Sequence, residues 1–575
     1  MSLAEALAKL NPSQREVVEC RDHCVAVAVP GAGKTATIAA KAALLLSDPN
    51  MTVGAVTFSK DAAIELRDRI LALAGPSAKK RLIAGTFHSL AYKQLALAAG
   101  KKPDIATDGE RTAIVTQVIQ ETSTEWKLED AIATIERLKT AFDLPSVESA
   151  DGQLFAAYQD ALLRNGRLDF QDLMRYAVQG MQGGTIAPYN VRVLLVDEYQ
   201  DVDSHQAAWT ALHARAGAAV CLVCDDDQSV YGFRSAMGLR GIEQFSAEFN
   251  ARQIVLGVNY RSHSEILAVA DRVIRNNTER VVKQLVSHRG PGGAVSFARH
   301  DDEYKEAVAA MEAMAEAVRA GKTSAILART NRILDPVEAV CRSHGIKYHR
   351  AAGRSILDRP ESALMGNALE LIEESRGGGL DAILGFSGVG GADLHTLHRK
   401  FATAMHAGRV KKKDLLEAGV GEDAADKYLD LTKRLSEWRT LCERKFHALV
   451  LDGVYEWMLK WPTSDQGRRA IITTYDVLSR LNGPFSDRLN FLRRKNNEAT
   501  ADAIVLTTFH SSKGLEWDHT ALIRLEETVI PDEGSLESEE RRLFYVGVTR
   551  ARRVMLLSTA KKSPTSRFVI EAGLA

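Results

Sequence analysis

This sequence of 575 residues has no excess of charge of one sign, no long apolar run and few cysteines. Its 74 lysines and arginines equal its 74 aspartates and glutamates, so no overall basic field attracts nucleic acid. Any nucleic-acid surface must therefore be a local groove. No apolar run approaches the roughly 18 residues that span a bilayer, and the first residues lack the pattern of a secretory leader. We therefore predict a cytoplasmic protein with no membrane partner.

Cysteine and proline are also scarce, with 6 and 14 residues in the whole chain. The cysteines are too few and too unevenly spaced for a disulfide framework, which favours a reducing compartment. Cys221 and Cys224 form a CxxC pair inside the apolar run AAVCLVC, and we interpret them as buried strand residues rather than as a zinc or redox pair. Ordinary hydrophobic and charged fractions, 45% and 26%, exclude a disordered or fibrous chain.

Short apolar runs of strand type recur along the chain, each followed by a helical stretch. Such continuous runs are typical of parallel strands buried on both faces, which predicts an α/β fold. They fall into two sets and therefore indicate two α/β domains: residues 24–29, 53–58, 191–198 and 218–227, and residues 324–330, 501–509, 520–525 and 554–559. Residues 89–166 and 376–494 are helix-rich and are interpreted as insertions into the two sheets.

The segment AVPGAGKT, residues 28–35, lies between an apolar strand and a helical stretch. This is the context of a phosphate-binding loop, in which backbone N–H groups and the helix N-terminus face the phosphates. Lys34 would reach the β- and γ-phosphates of ATP, and Thr35 would bind Mg²⁺. The pattern departs from GxxxxGK[ST] at its first position, which is Ala28. The predicted nucleotide-binding loop residues are Gly31, Ala32, Gly33, Lys34, Thr35 and Ala36.

A second strand, in VLLVDEYQD (residues 193–201), ends in two acids. The carboxyl ends of parallel strands meet at the sheet edge where the phosphates bind. Asp197 is predicted to hold Mg²⁺, and Glu198 to orient and deprotonate the attacking water. A kinase-like transferase also binds MgATP, so this pair leaves open the choice between hydrolysis and transfer.

Further segments resemble, in order, the motifs of superfamily 1 DNA helicases of the UvrD/Rep/PcrA type. They are LNPSQREVV (10–18), AVTFSKDAAIELRDRI (55–70), GTFHSLA (85–91), NGRLDFQDLM (165–174), CDDDQSVYGFRSAM (224–237), NYRS (259–262), TTFHSSKGLEWD (507–518) and EERRLFYVGVTRAR (539–552). One such string could arise by chance, but an ordered set covering almost the whole chain could not.

The resemblance implies two RecA-like P-loop domains, each with a mainly helical insertion, and an enzyme that unwinds DNA with 3′-to-5′ polarity. The expected first core is 1–88 with 167–257, interrupted by the insertion 89–166; the expected second core is 258–375 with 495–575, interrupted by the insertion 376–494.

The same resemblance implies roles for individual residues toward ATP. Gln14 would bind adenine, Tyr260 would stack on it, and Glu516 would hold the ribose. Gln228 would sense the γ-phosphate. Arg261 and Arg550 would come from the second core domain as arginine fingers, supplying positive charge where phosphoryl transfer develops negative charge.

Aromatic residues of the motifs are expected to stack on bases of single-stranded DNA, which is a sequence-tolerant contact. The expected DNA-binding residues are Phe58, Phe87, His88, Tyr231, Phe233, Arg234 and His510. Because Gln228 and Tyr231 are three residues apart, one loop would touch both ATP and DNA and would couple the two. The basic clusters 79–81, 411–413 and 493–495 are each more typical of a solvated face than of a binding surface. Among them, Lys411–Lys413 is the preferred candidate for phosphate contacts.

Several alternatives stay open at this stage. The second insertion is shorter than in the best-known relatives, and only 22 residues follow Arg553, so cleavage would need a partner protein such as a nuclease. A rival hypothesis is an ATP-gated clamp that senses single strands or DNA ends for a nuclease or polymerase without processive unwinding. A phosphotransferase is disfavoured by the two arginine fingers, and RNA remains an alternative track because base stacking does not read the 2′-OH. Relatives translocate as monomers on single strands and act at duplex junctions, and we expect the same here.

Overall fold

The computed structural model describes the chain except for residues 1, 122–125, 143, 233–235, 352–359, 375–379, 402–409, 462–464, 494–499, 501 and 561–562. The chain forms two compact units. Unit 1 is Met1–Ala294 with Pro531–Arg553 and Arg567–Ala575, and unit 2 is Val295–Ile530 with Val554–Ser566.

The strands and helices are as follows. The strands are β1 Cys24–Ala28, β2 Val53–Thr57, β3 Leu82–Thr86, β4 Val193–Val196, β5 Ala219–Cys224, β6 Arg252–Leu256, β7 Val258–Asn259, β8 Val286–Ser287, β9 Ala294–His300, β10 Ser324–Ala328, β11 Tyr348–Arg350, β12 Ile504–Thr508, β13 Trp517–Leu522 and β14 Ala551–Ala560. The helices are α1 Leu3–Ala8, α2 Pro12–Glu19, α3 Lys34–Leu46, α4 Lys60–Ala74, α5 Phe87–Ala99, α6 Asp108–Glu121, α7 Leu128–Thr140, α8 Ala150–Arg164, α9 Asp172–Gln182, α10 Ser204–Arg215, α11 Gly238–Phe249, α12 Ser264–Ile274, α13 Glu303–Arg319, α14 Asp335–Ser343, α15 Pro360–Glu374, α16 Leu380–Phe386, α17 Gly391–Phe401, α18 Lys412–Glu417, α19 Glu422–Glu443, α20 His447–Leu459, α21 Asp465–Arg480, α22 Phe485–Arg493, α23 Glu537–Val548 and α24 Arg567–Glu571.

Unit 1 is built on a six-stranded sheet of order β3-β2-β4-β5-β1-β6, whose paired strands are all parallel. Separate apolar clusters cover its two faces, which explains why β1, β2 and β4 are continuous apolar runs. Cys221 pairs with Cys24 across β5 and β1, and both are buried. The CxxC cysteines are therefore core residues, as predicted.

The strands β3 and β6 are absent from the sequence-based strand set, and both lie at the edges of this sheet. Edge strands are covered less completely, and β3 is mostly half-buried while β6 alternates between exposed and buried residues. Partial burial leaves no continuous apolar run, which is the pattern that indicates a buried strand in a sequence.

The second sheet has the order β11-β12-β10-β13-β14-β9, in which β10 pairs in parallel with β12 and β13, and β11 pairs in parallel with β12. The fold is therefore the predicted α/β class with two parallel-strand sheets. No helix in the described ranges is long and apolar enough to cross a membrane.

The helical segments have apolar cores of their own. Helices α6 to α8 enclose one within unit 1, and the helices from α15 to α22 enclose a larger one within unit 2. This second core begins at Leu364, so α15 packs with the helical segment rather than with the sheet, ahead of the expected boundary at residue 376.

The segments 258–294 and 531–553, which the sequence predicts in the second core domain, lie in unit 1. The first of them contacts the nucleotide loop directly, because Asn259 Nδ2 donates to Pro30 O at 2.5 Å and Tyr260 N donates to Gly31 O at 2.9 Å. The assignment of these segments to a functional domain stays a prediction.

Candidate nucleotide and DNA sites

The loop between β1 and α3 has the conformation that an anion site requires. Gly31 and Gly33 have φ angles of 64° and 76°, which L side chains rarely adopt. A Cβ on Gly31 would lie 2.6 Å from the Cβ of Arg261, so glycine also gives room for that residue. Because Gly33 is the N-cap of α3 and has no side chain, the first N–H groups of the helix are left for a phosphate.

The predicted acids Asp197 and Glu198 follow β4 and lie beside this loop. Lys34 Nζ forms an ion pair with Glu198 Oε2 at 2.8 Å. Burial acts to lower the pKa of Lys34, but the charges of Glu198, Asp225 and Asp197 outweigh it and raise the pKa above its usual value. Glu198 has a left-handed backbone with φ 53°, a strained conformation of the kind found at functional sites.

A chain of hydrogen bonds leads from Glu198 to one of the predicted arginine fingers. Gln200 Nε2 donates to Glu198 Oε2 at 2.5 Å, and Gln200 Oε1 accepts from the N–H of Asp225 at 3.0 Å. Gln228 Nε2 donates to Asp225 Oδ2 at 2.5 Å, and Gln228 Oε1 accepts from Arg550 Nη2 at 2.8 Å. The buried Gln200 is missing from the sequence-based site, although its place between the acids of VLLVDEYQD is a usable signal.

Three consecutive carboxylates at the end of β5 are neutralised by two cations that sequence reasoning missed. Lys283 Nζ lies 3.0 Å from Asp225 and 3.0 Å from Asp227, and it also pairs with Asp226. Arg280 binds both oxygens of Asp227, at 2.8 and 2.6 Å. Burial acts to lower the pKa of Lys283, but the three acids outweigh it and raise the pKa. The acidic triad is therefore an ion-paired cluster, not a cation site.

The predicted arginine fingers both lie in unit 1. Arg550 is buried, and its Nε donates to Val546 O at 2.8 Å. Arg261 Nη1 donates to Thr549 O at 3.1 Å, next to Arg550 in sequence. The two arginines thus lie on neighbouring segments beside the nucleotide loop.

An apolar cavity of about 520 Å³ lies against α3 and is suited to a purine. Its lining includes the predicted adenine residues Gln14 and Tyr260. Gln14 Nε2 donates to Ala32 O at 2.9 Å, which joins the base pocket to the phosphate loop. Arg69 also lines this cavity and is missing from the sequence-based site, although it lies within a quoted motif.

The predicted DNA residues Phe58 and Tyr231 stack on one another, with ring centroids 5.7 Å apart and planes 9° apart. Both line a cavity of about 930 Å³ together with His88 and Phe170. We call these four rings the aromatic groove. Phe170 is 55% exposed and stacks on His88 with ring centroids 4.2 Å apart, and it is absent from the sequence-based site. Burial lowers the pKa of His88 to about 4, so His88 would meet DNA as a neutral group.

Phe87 is buried at the base of the same cavity. The ring is only 2% exposed and packs edge-on against Trp209, with centroids 5.6 Å apart. It is part of the apolar cluster under the sheet. It nevertheless borders the cavity together with His88, and its role in DNA binding stays a prediction.

The remaining predicted positions are distributed as follows. Phe233 and Arg234 lie outside the described residues. Glu516 and His510 are in unit 2, on the segment between β12 and β13.

The favoured basic cluster is largely neutralised. Lys412 forms ion pairs with Glu422 at 3.0 Å and Asp426 at 2.8 Å, and Lys413 lies 3.6 Å from Glu417. These pairs favour a solvated face over a phosphate-binding surface. In the cluster 79–81, Arg81 donates to main-chain carbonyls at the end of α3, which is a structural role. The side chains of residues 493–495 lie outside the described part of the chain.

A parallel sheet, a glycine loop between β1 and α3, and two acids after β4 of the same sheet define a P-loop nucleotide-binding protein. Comparison with known proteins identifies the family. Residues 10–250 match the UvrD/REP helicase N-terminal domain, and residues 254–376 with 487–562 match the UvrD-like helicase C-terminal domain. The chain therefore belongs to the UvrD/Rep helicase family.

Similar proteins include helicases from two bacteria. ATP-dependent DNA helicase PcrA of Bacillus subtilis (strain 168) is 27% identical over 99% of this chain and 86% of its own length. DNA helicase II of Escherichia coli (strain K12) is 28% identical over 98% of this chain and 86% of its length. ATP-dependent DNA helicase Rep of the same strain is 26% identical over 98% of this chain and 94% of its length.

Proposed function

We propose that this protein is an ATP-dependent DNA helicase that translocates 3′ to 5′ along single-stranded DNA and unwinds duplex at junctions. One observation carries the proposal. In the segment 225–231, Gln228 contacts Arg550, one of the predicted arginine fingers, and Tyr231 forms part of the aromatic groove. A single short segment thus joins the hydrolytic site to the surface suited to bases, as a motor requires. The names of the similar proteins, all DNA helicases, support the helicase activity but do not state its polarity.

The Lys34–Glu198 ion pair suggests how nucleotide binding prepares the site for hydrolysis. The ammonium group of Lys34 lies on the carboxylate that we assign as the general base. When the β- and γ-phosphates of ATP enter the loop, they compete for Lys34, and its transfer to phosphate releases Glu198 to accept a proton from the attacking water. Arg261 and Arg550 then stabilise the charge that develops on the γ-phosphate.

The donor atoms beside the loop fit Mg²⁺. A hydroxyl on the first turn of α3, Thr35, and a carboxylate after β4, Asp197, are the hard oxygen ligands that this ion prefers. When bound there, Mg²⁺ would neutralise charge on the phosphate oxygens. Asp197 is held in place because its N–H donates to Val56 O at 2.9 Å and its Oδ1 accepts from the N–H of Glu198 at 3.0 Å.

Coupling follows from the position of Gln228. Its amide oxygen accepts from Arg550 and its amide nitrogen donates to Asp225, so a γ-phosphate that engages Arg550 or Gln228 changes both contacts. Three residues later the chain carries Tyr231, whose stacking on Phe58 would be replaced by stacking on a base. Loss of the γ-phosphate would then shift the aromatic group that holds the strand.

We place this activity in the cytoplasm, in a monomer, with repair, replication or foreign-DNA processing as its context and a nuclease as one kind of partner. These parts of the proposal rest on the family resemblance.

Strand displacement by the purified chain with MgATP tests the proposal. Duplexes with a 3′ or a 5′ single-stranded tail are compared, with ATP turnover followed in parallel and a Lys34→Ala variant as the inactive control. We expect unwinding of the 3′-tailed duplex only. Turnover stimulated by DNA without displacement of either strand would instead support the ATP-gated clamp, and unwinding from the 5′ tail would overturn the polarity.

A further inference from the structure

Three potential metal ligands of different chemistry meet at the edge of the helical core of unit 2, away from the nucleotide loop in sequence. They are Glu373 on α15, Cys442 on α19 and His447 at the start of α20. Cys442 Sγ lies 3.9 Å from Glu373 Oε1, and His447 Nε2 lies 3.7 Å from the same oxygen. All three donor atoms are within 4.8 Å of one another.

These separations are close to those of a tetrahedral zinc site. Zinc–ligand bonds of about 2.3 Å to sulfur and about 2.0 Å to nitrogen or oxygen place neighbouring donor atoms about 3.3 to 3.6 Å apart. The observed distances to Glu373 Oε1 exceed this by only a few tenths of an ångström.

The carboxylate and the imidazole are both oriented by their surroundings. Glu373 Oε1 accepts from the N–H of Phe485 at 2.8 Å, and Oε2 accepts from the N–H of Ser486 at 2.5 Å, so Glu373 also caps the N-terminus of α22. The ring of His447 meets that of Phe485 edge-on, with centroids 5.2 Å apart. Fixed ligands lower the entropic cost of binding a metal.

The cluster borders a cavity of about 690 Å³, so there is room for a fourth ligand. Arg439 and Lys445 also line this cavity, so a bound metal ion needs a thiolate and a carboxylate to offset its own charge. A thiolate with an imidazole selects zinc over magnesium or calcium, which prefer oxygen ligands alone.

We propose that Glu373, Cys442 and His447 bind a zinc ion, with water as the fourth ligand. On binding, the Cys442 thiol loses its proton to solvent and the sulfur donates an electron pair to the metal. The ion joins α15, α19 and α20 directly, and α22 through the cap formed by Glu373. The site is independent of the nucleotide loop and of the proposed helicase activity.

Cobalt(II) is a spectroscopic probe of this site, because a cysteine thiolate bound to cobalt gives a charge-transfer absorption band. The full-length protein is stripped of metal and titrated with Co²⁺ in the absence of nucleotide, and Zn²⁺ is then added to displace the cobalt. We expect one Co²⁺ per chain, a thiolate band that Zn²⁺ removes, and a higher unfolding temperature with Zn²⁺.

Two ligand variants and one control decide the assignment. Cys442→Ser should remove the thiolate band, and His447→Gln should weaken metal binding more than about tenfold. Cys20→Ser, which changes the other partly buried cysteine, should leave both unchanged. Glu373→Gln is unsuitable because Glu373 caps α22. Circular dichroism of each variant without metal checks that it folds. If Cys442→Ser does not fold, His447→Gln provides the test of metal binding. Absence of the band in the parent protein, or its persistence in Cys442→Ser, would overturn the proposal.

Discussion

At the scale of single residues, the candidate ATP site contains an ion pair between Lys34 and Glu198, two groups that ATP and the attacking water would also engage. Lys34 is bound to Glu198, which is in turn hydrogen-bonded to Gln200. The ion pair neutralises two charged groups beside the loop. Removing the charge of Glu198 and removing that of Lys34 should therefore change nucleotide binding in opposite directions. The two variants thus distinguish nucleotide binding from hydrolysis.

Glu198→Gln should abolish ATP hydrolysis, because an amide cannot accept the proton of the attacking water. Nucleotide binding should be kept or become tighter, since Lys34 loses the carboxylate that competes with phosphate. Lys34→Ala should lose both hydrolysis and tight binding. Steady-state turnover and binding of a fluorescent ATP analogue measure the two effects, with the surface change Lys80→Ala as control. Normal turnover in either site variant would refute the assigned roles.

Tyr231→Ala should weaken binding of single-stranded DNA while ATP turnover without DNA stays unchanged. The loss of one base–aromatic stack, about 1–3 kcal/mol, corresponds to roughly 5- to 150-fold in affinity. Fluorescence anisotropy with a labelled oligonucleotide gives the dissociation constant. The control variant Tyr304→Ala changes an aromatic residue of α13 outside the groove and should bind DNA like the parent protein. Parental DNA affinity in Tyr231→Ala would exclude the stacking role.

His213 should make the protein sensitive to mild acid. Its Nε2 accepts from the N–H of Tyr189 at 3.0 Å, so protonation breaks a buried hydrogen bond, and burial lowers the pKa of His213 to about 4. The unfolded pKa is about 6.5, so this contribution to stability is fully present above that pH and is lost as the pH falls from about 6.5 toward 4. The maximum effect is about 3 kcal/mol.

His213→Gln removes this titration while its amide can still accept and donate. The loss of unfolding free energy between pH 7 and pH 5, measured by urea denaturation, should be about 2 kcal/mol smaller in the variant than in the parent protein. The comparison cancels the other titrating groups, and the exposed His344→Gln provides the control. An unchanged pH dependence in His213→Gln would contradict the assignment.

At the scale of elements, a buried ion cluster connects the first helical segment to the aromatic groove. Lys139 at the end of α7 is 1% exposed at its side chain and lies 2.5 Å from Asp172 and 3.1 Å from Asp169. Asp169 and Asp172 bracket Phe170, which faces the groove. The position of the Phe170 ring thus depends on a cation supplied by another element.

Lys139→Met should destabilise unit 1 by about 3–5 kcal/mol, because two buried carboxylates lose their cation. The double variant Lys139→Met with Asp172→Asn should recover part of that loss, since one of the two charges is removed. Thermal and urea unfolding measure the stability. A single variant as stable as the parent protein would show that the cluster contributes no net stability.

At the scale of the whole molecule, the proposed connection between ATP hydrolysis and DNA binding rests on the segment 225–231. Its acidic part is fixed by Lys283 and Arg280, and its amide group Gln228 faces Arg550. The rigid part therefore anchors the segment, while Gln228 is the group whose partners ATP would change.

Gln228→Ala should uncouple the two activities. We expect it to bind DNA and nucleotide nearly as the parent protein does but to lose most of the stimulation of ATP turnover by DNA and the strand displacement. Turnover with and without oligonucleotide, measured beside the displacement assay, tests this. Full stimulation in Gln228→Ala would move the coupling to another contact.

The phosphate loop, the acids after β4 and the α/β class could all be predicted from the sequence, because they depend on contiguous residues. A glycine loop between a strand and a helix needs only local conformation, and a strand buried on both faces shows itself as an apolar run. The edge strands β3 and β6 escaped detection because partial burial leaves a mixed pattern.

Residues that act through distant partners could not be predicted in this way. Nothing local in Lys283 or Arg280 shows that they neutralise acids more than fifty residues earlier in the chain. Phe87 and His88 are adjacent in one motif and both line the cavity, yet Phe87 is only 2% exposed because its ring also packs against Trp209. Phe170 was overlooked because an aromatic residue alone does not reveal whether it faces solvent or core.

The sequence by itself determined the chemistry available to this protein: the lysine, hydroxyl and carboxylates for MgATP, and the order of motifs that marks its family. Only the tertiary structure decided which side chains meet. It placed the segments 258–294 and 531–553 beside the nucleotide loop, joined Gln228 to Arg550, and brought Glu373, Cys442 and His447 together from three helices. The physical reason is that local conformation depends on neighbouring residues, whereas charge pairing, stacking and metal coordination depend on distances that only the packed chain sets.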